Sequence, residues 1–569
     1  MPLKVWAPRA GRVEVVTTDR RVPLRRSSNG EHELDDASID LTADYRLCLD
    51  GGPPLPDPRS EHQPAGIEGP SRRVDHAAFA WTDTGFAPVP LARGVIYELH
   101  VGTFSARGTF EGVIEHLSHL VDLGVTHVEL MPVCEFAGER GWGYDGVNLF
   151  APHHAYGGPL GLKRLVDACH ARGLALILDV VYNHLGPRGN HLGRFGPYFT
   201  DRHTPWGAAV NLRDRGSDEV RRFFIDNALL WLGDYHVDAL RLDAVQAFDD
   251  DRAFPFLAEL AREVQAAGAR RGKRWELIAE CDRADPRTTA PLDGGGLGMD
   301  AQWSDDFQFA MHAFATGERN GRLEDFGELA RLAHVLEHGF RHQGTFSAFR
   351  GRTHGHPRAE PQKARLLGYL QTHDQVGNRP RGERLSALVE PAVLRQLAAL
   401  MLLGPFVPML FQGEEWAAST PFVYFTDHGD PGLARDVKEG REREYRALGF
   451  ELHGTLDPES PDAFNRSRLR WDERETPAHA EVLAWYRALI GLRREQPDFA
   501  SLPSRVDFDP AERWLLLDRG RLVVALCFAG EPYALPLASG DALVLAHGAV
   551  AAAPDSVRVG PGGVAVVRR

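Results

Sequence analysis

His236-Val-Asp-Ala-Leu-Arg-Leu-Asp-Ala-Val245 is the stretch that decides the fold. It is a short, nearly apolar run, which is typical of a parallel strand buried on both faces. Asp238, Arg241 and Asp243 interrupt it with charges that a buried strand tolerates only when they are paired. A helical pattern precedes it and an acidic break follows it, so we expect Asp243 at the carboxyl end of the strand. In a barrel of parallel strands, that end carries the active site.

Seven further apolar runs alternate with helical patterns along the middle of the chain. The count and the alternation predict a (β/α)8 TIM barrel, an α/β fold, with insertions in its loops. A doubly wound sheet is the alternative, but it would carry a glycine-rich turn after its first strand, and the sequence shows none there. Besides the strand that ends at Asp243, the predicted strands are 94–99, 125–131, 173–181, 275–280, 301–303, 366–371 and 407–411. The predicted helices include 110–123, 161–172, 219–235 and 478–495.

Short alternating strands broken by turn residues flank this pattern on both sides. We therefore predict three domains: a β-sandwich at 1–88, the catalytic barrel at 89–497 and a second β-sandwich at 498–569. The first sandwich is expected to be a stabilising accessory domain or a carbohydrate-binding-module-like domain. In the last, strands are predicted at 514–517, 522–527, 542–545 and 564–567.

Composition and charge exclude several classes of function. The 569 residues carry a formal net charge of -14, which argues against nucleic acid or an anionic membrane as the main partner. We expect no membrane association, because no apolar run reaches the length of a membrane span. The amino terminus lacks the apolar segment of a secretory signal, and the five cysteines are scattered without a CxxC pair. The sequence therefore predicts a cytoplasmic protein without a disulfide framework.

Acidic residues stand at the ends of four predicted strands. They are Asp179, Asp243, Glu280 and, in a His-Asp pair, Asp374. Any one of them could cap the helix that follows. A converging set of carboxylates in different environments is what acid/base and nucleophilic chemistry on a glycosidic bond requires. A metal-dependent hydrolase is the rival chemistry, but it would need a pair of histidines on one strand, and His100 stands alone.

Aromatic residues after the predicted strands favour a sugar as the substrate. Tryptophan and tyrosine rings lie beside amides and carboxylates in 141–146, 204–207 and 302–306. Flat apolar rings suit the C–H faces of pyranoses, while the polar groups suit their hydroxyls.

Four motifs in order resemble those of the α-amylase family of glycoside hydrolases: Asp179-Val-Val-Tyr-Asn-His184, Ala239-Leu-Arg-Leu-Asp243, Ile278-Ala-Glu280 and Leu370-Gln-Thr-His-Asp374. The resemblance implies Asp243 as the nucleophile, Glu280 as the general acid/base and Asp374 as the carboxylate that holds sugar hydroxyls. It also implies that Arg241 pairs with Asp243 and keeps it ionised. The substrate contacts that it implies are Tyr144, Asp145, His184, Arg241, Trp303, Asp305, Asp306, His373, Gln375 and Arg379.

Other segments are similar to one group within this family, among them Tyr97-Glu-Leu-His-Val-Gly102, Gly141-Trp-Gly-Tyr-Asp145 and Trp303-Ser-Asp-Asp-Phe307. Members of that group cut the α-1,4 bond next to a terminal trehalose unit. The resemblance implies that the substrate is maltooligosyltrehalose or a related α-glucan. It also implies that the protein is a monomer or homodimer and that it needs no metal or other cofactor. A branching or debranching enzyme is one alternative, and a glucan-binding homologue with weakened catalysis is another.

The chain departs from the pattern of that group at several positions that follow the fourth to seventh strands. Loss of histidines and tyrosines there would remove hydrogen-bond donors from a sugar site, which can weaken recognition by orders of magnitude. Neutral variation behind the site is the alternative interpretation. The altered positions are Ala239, Gln246, Cys281, Gln308, Phe309, Arg322, Leu323 and Thr372.

Overall fold

Eight parallel strands close into a barrel at the centre of the computed structural model, which describes residues 3–357, 361–496 and 499–569. They pair in chain order, and the last strand pairs with the first. The predicted α/β barrel is therefore confirmed. The barrel strands are Ile96–Leu99, His127–Leu130, Ala175–Val180, Ala239–Leu242, Glu276–Ala279, Ala301–Trp303, Leu366–Tyr369 and Val407–Phe411.

The inside of the barrel changes from apolar to polar along several of its strands. Ile177 and Ile278 belong to one buried apolar cluster inside the barrel. Because side chains two positions apart point to the same face of a strand, the residue two positions later also points inward, one step nearer the carboxyl end. That rule places a polar layer on top of the apolar one, and its members include Glu98, Asp179, Arg241 and Glu280.

Helices surround the barrel, and one of them differs from its prediction. The predicted helix 110–123 is two helices, Phe110–Ile114 and Leu117–Leu123. The chain breaks at His116, whose ring stacks on Trp471 with the centroids 3.9 Å apart. This tertiary contact is invisible in local periodicity. The other helices of eight or more residues are Gly158–His170, Ser217–Asp234, Phe256–Arg271, Asp305–Thr316, Leu329–His338, Pro391–Leu402, Pro431–Ala447 and Pro477–Arg494.

Two three-stranded antiparallel sheets form the amino-terminal region. One contains Lys4–Trp6, Arg25–Arg26 and Glu31–Glu33, and the other contains Val13–Val16, Arg21–Pro23 and Arg46–Leu49. The Trp6 ring packs edge-on against Tyr198 of the barrel region, with the centroids 5.5 Å apart. An ion pair of 2.9 Å joins Arg59 to Asp226 on a barrel helix. The region is thus fastened to the barrel by apolar and charged contacts.

The carboxy-terminal region holds a five-stranded and a three-stranded sheet. The four predicted strands are present as Trp514–Asp518, Leu522–Cys527, Ala542–His547 and Gly563–Arg568. Four more strands were not predicted, namely Arg505–Asp509, Tyr533–Pro536, Val550–Ala553 and Ser556–Val559. Each is only four or five residues long, so even the alternating Arg505-Val-Asp-Phe-Asp509 and Ser556-Val-Arg-Val559 give too short a pattern to mark a strand. The predicted boundary at 497 and 498 lies outside the described residues.

Candidate active site

One buried arginine holds three carboxylates together at the carboxyl end of the barrel. Arg241 is only 1% exposed. Its Nη1 donates to Asp243 Oδ1 at 2.9 Å and to the two oxygens of Asp179 at 2.8 and 2.9 Å. Its Nη2 donates to Glu280 Oε2 at 2.7 Å. The third, fourth and fifth barrel strands are neighbours, so their pairing brings together acids that stand far apart in the sequence.

The carboxylate of Asp243 is held in its ionised form. Burial raises its pKa, but the charges of Arg241 and His184 and a hydrogen bond from Asn183 outweigh burial, so the pKa lies below its ordinary value. Asn183 Nδ2 donates to Asp243 Oδ2 at 2.6 Å. Asn183 was not predicted as a site residue, although it stands inside the first quoted motif. An ionised carboxylate fixed on both oxygens suits a nucleophile.

Glu280 has the opposite environment. Burial raises its pKa well above the ordinary value; Arg241 opposes this rise, and the negative charges of Asp243 and Asp374 add to it. The amide of Ala244 donates to Glu280 Oε2 at 2.8 Å. Ala244 adopts a left-handed conformation with φ of 40°, which turns the chain after the fourth strand. One carboxyl group protonated beside one ionised is the arrangement that acid/base catalysis of glycoside cleavage uses.

Asp179 shares Arg241 with these two acids. Burial raises its pKa to about 6, with Arg241 acting against the rise and Asp243 adding to it. The phenol of Tyr144 donates to Asp179 Oδ2 at 2.6 Å. Tyr144, predicted to contact the substrate, is therefore fixed beside the acids through Asp179.

His373 and Asp374 begin a short helix, His373–Gly377, after the seventh strand. His373 is buried, and its Nδ1 lies 2.5 Å from Glu98 Oε1. Burial lowers the pKa of His373, but the charge of Glu98 and its hydrogen bond raise it further, so the net shift is upward. Asp374 is exposed, and Asn378 donates to its Oδ1 at 2.5 Å. Asp374 thus faces open space, while its charge acts on Glu280.

Aromatic rings surround these groups. The Tyr144 ring stacks on His373, with the centroids 5.0 Å apart. In a second pair, the half-exposed ring of Trp206 stacks on His184 at 5.5 Å. His184 in turn contacts Asn183, the partner of Asp243. Two pairs of rings are therefore linked to the acids, in segments where the sequence predicts faces for sugar.

The three predicted contacts at and just after the end of the sixth strand differ in surroundings. Trp303 is buried under the guanidinium group of Arg241. Asp305 accepts a hydrogen bond of 2.6 Å from the Tyr369 hydroxyl. Asp306 accepts from the amide of Arg341 at 2.7 Å, and burial raises its pKa to about 6 despite that bond. The carboxyl group of Asp306 is therefore hydrogen-bonded to the main chain.

Three other predicted contacts are engaged by protein groups. Gln375 Oε1 accepts from the amide and hydroxyl of Thr372, which completes a capping box at the start of the helix that carries Asp374. Arg379 makes two hydrogen bonds to Glu318, at 2.9 and 3.0 Å. Asp145 lies 3.9 Å from the Nε2 of His428. These side chains support the loops around the acids in this structure.

Most of the altered positions pack inside the protein. Gln308 donates to the carbonyl of Leu370 at 3.2 Å, and the Phe309 ring packs on Phe326. Arg322 differs, because its Nη1 lies 3.7 Å from Asp282 and 3.8 Å from Asp305, and its side chain is 46% exposed. Arg322 therefore brings a positive charge to the edge of the site. Of the others, Cys281 is buried, Leu323 packs on the main core, and Thr372 caps the helix described above.

Among the described residues, one group could offer three ligand atoms to a metal ion. It consists of Glu135, His153 and His154, whose ligand atoms lie within 4.8 Å of one another. The Nδ1 of His154 lies 2.7 Å from Glu135 Oε1, as in an ordinary ion pair. The group includes none of the acids around Arg241.

Comparison with known proteins gives the family of the chain. The model of the alpha amylase catalytic domain matches residues 75–193. A malto-oligosyltrehalose trehalohydrolase from Arthrobacter ramosus is 47% identical over 573 residues, covering 99% of each chain. The chain belongs to the malto-oligosyltrehalose trehalohydrolase family. A trehalohydrolase from Mycobacterium tuberculosis is 44% identical, covering 99% of this chain and 98% of its own.

Solved structures agree with this trehalohydrolase assignment at the level of fold. A crystal structure from Salmonella typhimurium that is described as an alpha amylase has a TM-score of 0.90 and 34% identity. It covers 100% of this chain and 97% of its own. A pullulanase from Paenibacillus barengoltzii, at 20% identity and a TM-score of 0.72, shares the fold alone. In this member of the trehalohydrolase family, no helix of the described residues is long and apolar enough to cross a membrane.

Proposed function

We propose that the chain hydrolyses the α-1,4 bond next to the terminal trehalose of maltooligosyltrehalose and releases trehalose. The observation that carries the proposal is the pair of carboxyl groups on one guanidinium, with the pKa of Asp243 lowered and that of Glu280 raised. The names of the relatives support the choice of substrate.

In the proposed mechanism, Asp243 attacks the anomeric carbon of the sugar at the cleaved bond. Glu280 gives its proton to the departing oxygen, and trehalose leaves from a covalent glycosyl–enzyme. Glu280, now ionised, then takes a proton from water, which attacks the anomeric carbon and frees Asp243. Two displacements retain the anomeric configuration, and retention requires the carboxyl groups to lie close together. Their sharing of Arg241 supports that requirement.

The remaining groups position the sugar and stabilise charge. Arg241 keeps the nucleophile ionised, and in the covalent intermediate it still neutralises Asp179. Asp374 is exposed at the mouth of the site, where its carboxylate can accept hydrogen bonds from the hydroxyls of the sugar. His373 and His184 are proposed to donate hydrogen bonds to hydroxyls of the sugar at the cleaved bond. The ring of Tyr144 is proposed to stack on the same pyranose.

The first experiment compares two substrates of equal length, maltotriosyltrehalose and maltopentaose. Release of trehalose from the first, with little cleavage of the second, is the expected result. Equal cleavage of both would indicate a general α-glucanase, and new α-1,6 bonds among the products would indicate a branching enzyme.

Asp243→Asn tests the assignment of the nucleophile. The variant is isosteric, so we expect native circular dichroism together with a loss of at least about 10⁴-fold in kcat, the scale seen when a covalent nucleophile is removed. Turnover close to wild type would remove Asp243 from that role.

A further inference from the structure

A cavity whose lining includes none of the three acids lies between the segment after the eighth strand and the helix Pro431–Ala447. Its volume is about 180 Å³. That is the space of about six water molecules in the liquid, which is of the order of a single pyranose ring. The residues that line it and carry the argument are Tyr424, Lys438, Arg441, Tyr445, Leu456 and Asp457.

The charges that line the cavity are already paired. Lys438 Nζ lies 3.1 Å from Asp457 Oδ2 at the mouth, where both side chains are nearly half exposed. Arg441 Nη1 lies 2.9 Å from Glu444, and its Nη2 donates to the Tyr445 hydroxyl at 3.1 Å. The positive and negative charges of the lining therefore balance each other. An ionic ligand would pair with one member of an ion pair and leave the other uncompensated. A neutral ligand with many hydroxyls can use the donors and acceptors without that cost.

The other walls are aromatic and apolar. The guanidinium carbon of Arg441 lies 4.8 Å from the centroid of the Tyr424 ring and 5.0 Å from that of Tyr445. Arg441 therefore holds both rings in place. Leu456 adds an apolar surface beside them. Rigid rings and an apolar patch next to hydrogen-bonding groups are the composition of a sugar site.

The cavity is joined to the catalytic centre by two short links. Arg441 Nη2 donates to the carbonyl of Gly377 at 3.2 Å, and Gly377 ends the helix that begins with His373. The ring of Tyr424 packs edge-on against Trp142 at 5.0 Å, and Trp142 packs against His373 at 5.4 Å. The helix has five residues and is about 7 Å long. A glucan chain of a few units can therefore span the distance from the catalytic centre.

We propose that this cavity binds one glucosyl unit of the maltooligosyl chain, several units from the bond that is cut. The inference rests on the proposed function and deepens it, because it assigns a residue set that distinguishes long substrates from short ones. Occupation of the cavity by a distant unit anchors long chains and leaves short chains unaffected. The enzyme should then have a higher kcat/KM for long substrates.

Leu456→Trp tests the proposal by filling the cavity. Its control is Leu452→Trp, the same substitution four residues earlier in the same loop at a position that does not line the cavity. We expect kcat/KM for maltohexaosyltrehalose to fall roughly tenfold in Leu456→Trp, because a set of sugar hydrogen bonds is lost, whereas kcat/KM for maltosyltrehalose is unchanged. The control should match wild type on both substrates. An equal fall on both substrates, or no fall on either, would overturn the proposal.

Lys438→Ala is a second variant that tests the cavity in case Leu456→Trp does not fold. The Lys438 side chain is about half exposed, so its removal should leave the fold intact. We expect it to lower kcat/KM for the long substrate only, by about threefold. A binding measurement makes the test independent of turnover. Calorimetry measures the affinity for maltoheptaose of the inactive variant Glu280→Gln, with and without the additional substitution Leu456→Trp. We expect the double variant to bind roughly tenfold more weakly. Equal affinities would refute the cavity as a glucosyl site. Absence of trehalose release by the wild type from either substrate would instead refute the proposed function.

Discussion

The guanidinium carbon of Arg241 lies 4.2 Å from the centroid of the Trp303 ring. The ring is buried, so its negative face supports the cation in a place that water hardly reaches. This stack adds a cation–π contact to an arginine that already holds three carboxylates.

Trp303→Ala should therefore disturb both stability and catalysis. Loss of the ring leaves a cavity, for which we expect about 3–5 kcal/mol of destabilisation. We also expect kcat to fall by roughly 10²-fold, because the guanidinium group of Arg241 is no longer fixed beside the acids. Trp303→Phe keeps a ring face and should retain most of the stability and most of kcat. Thermal unfolding and initial rates measure the two effects, and a wild-type kcat in Trp303→Ala would contradict the positioning role.

Asn183→Leu should shift the acid limb of the pH–rate profile. The amide of Asn183 helps to hold the pKa of Asp243 below its ordinary value. Because Asp243 must be ionised to attack, a higher pKa moves the acid limb of kcat/KM to higher pH. The exposed Asn465→Leu is a matched control and should leave the limb in place. An unchanged limb in Asn183→Leu would mean that the amide does not tune the nucleophile.

Asp305→Asn should shift the opposite limb. The negative charge of Asp305 is one of the charges that raise the pKa of Glu280 after burial. Glu280 must be protonated to act, so activity falls as the pH rises through its raised pKa. Removal of the Asp305 charge lowers that pKa, and the alkaline limb should move to lower pH by a fraction of a unit. A shift to higher pH would contradict the assignment of Glu280 as the acid.

Glu129→Gln should stabilise the protein increasingly as the pH rises. Glu129 is buried in the second barrel strand, and burial, with the charge of Glu98, raises its pKa well above the ordinary value. The folded chain therefore keeps a proton that the unfolded chain loses above about pH 4.3. Each further pH unit costs the wild type about 1.4 kcal/mol until the folded pKa is reached, and the amide avoids this cost.

Urea unfolding at pH 5 and pH 8 measures that effect. The stability gained by Glu129→Gln should be larger at pH 8. Glu439→Gln, at a side chain that is 59% exposed, is the control and should show no such trend. The same gain at both values of pH would mean that Glu129 is ionised in the folded protein.

The barrel could be predicted because each of its strands is a short apolar run that can be recognised from neighbouring residues alone. The sequence also predicted that strand-end acids meet, since the carboxyl ends of neighbouring parallel strands form a single rim. The partners of those acids were harder to predict. Glu98 binds His373 across 275 positions of sequence, and no local pattern pairs a glutamate in the first strand with a histidine after the seventh.

The break in the predicted helix 110–123 has the same cause. Helix 110–123 is broken where His116 meets Trp471, a ring more than three hundred positions away. Gln375 and Arg379 lie in a segment that resembles the family and are predicted to contact sugar, and in this structure neighbouring groups hold both side chains. Their contact with sugar stays a prediction, because the packing of a side chain cannot be worked out from the segment alone.

The amide that binds Glu280 belongs to the main chain of Ala244. Apart from proline, every residue at position 244 would supply the same N–H group, so mutation of the side chain cannot delete this anchor. The loops that recognise sugar are held by side chains and can change one residue at a time. The fold thereby allows these loops to change their side chains while the backbone keeps one of the two hydrogen bonds to Glu280 Oε2.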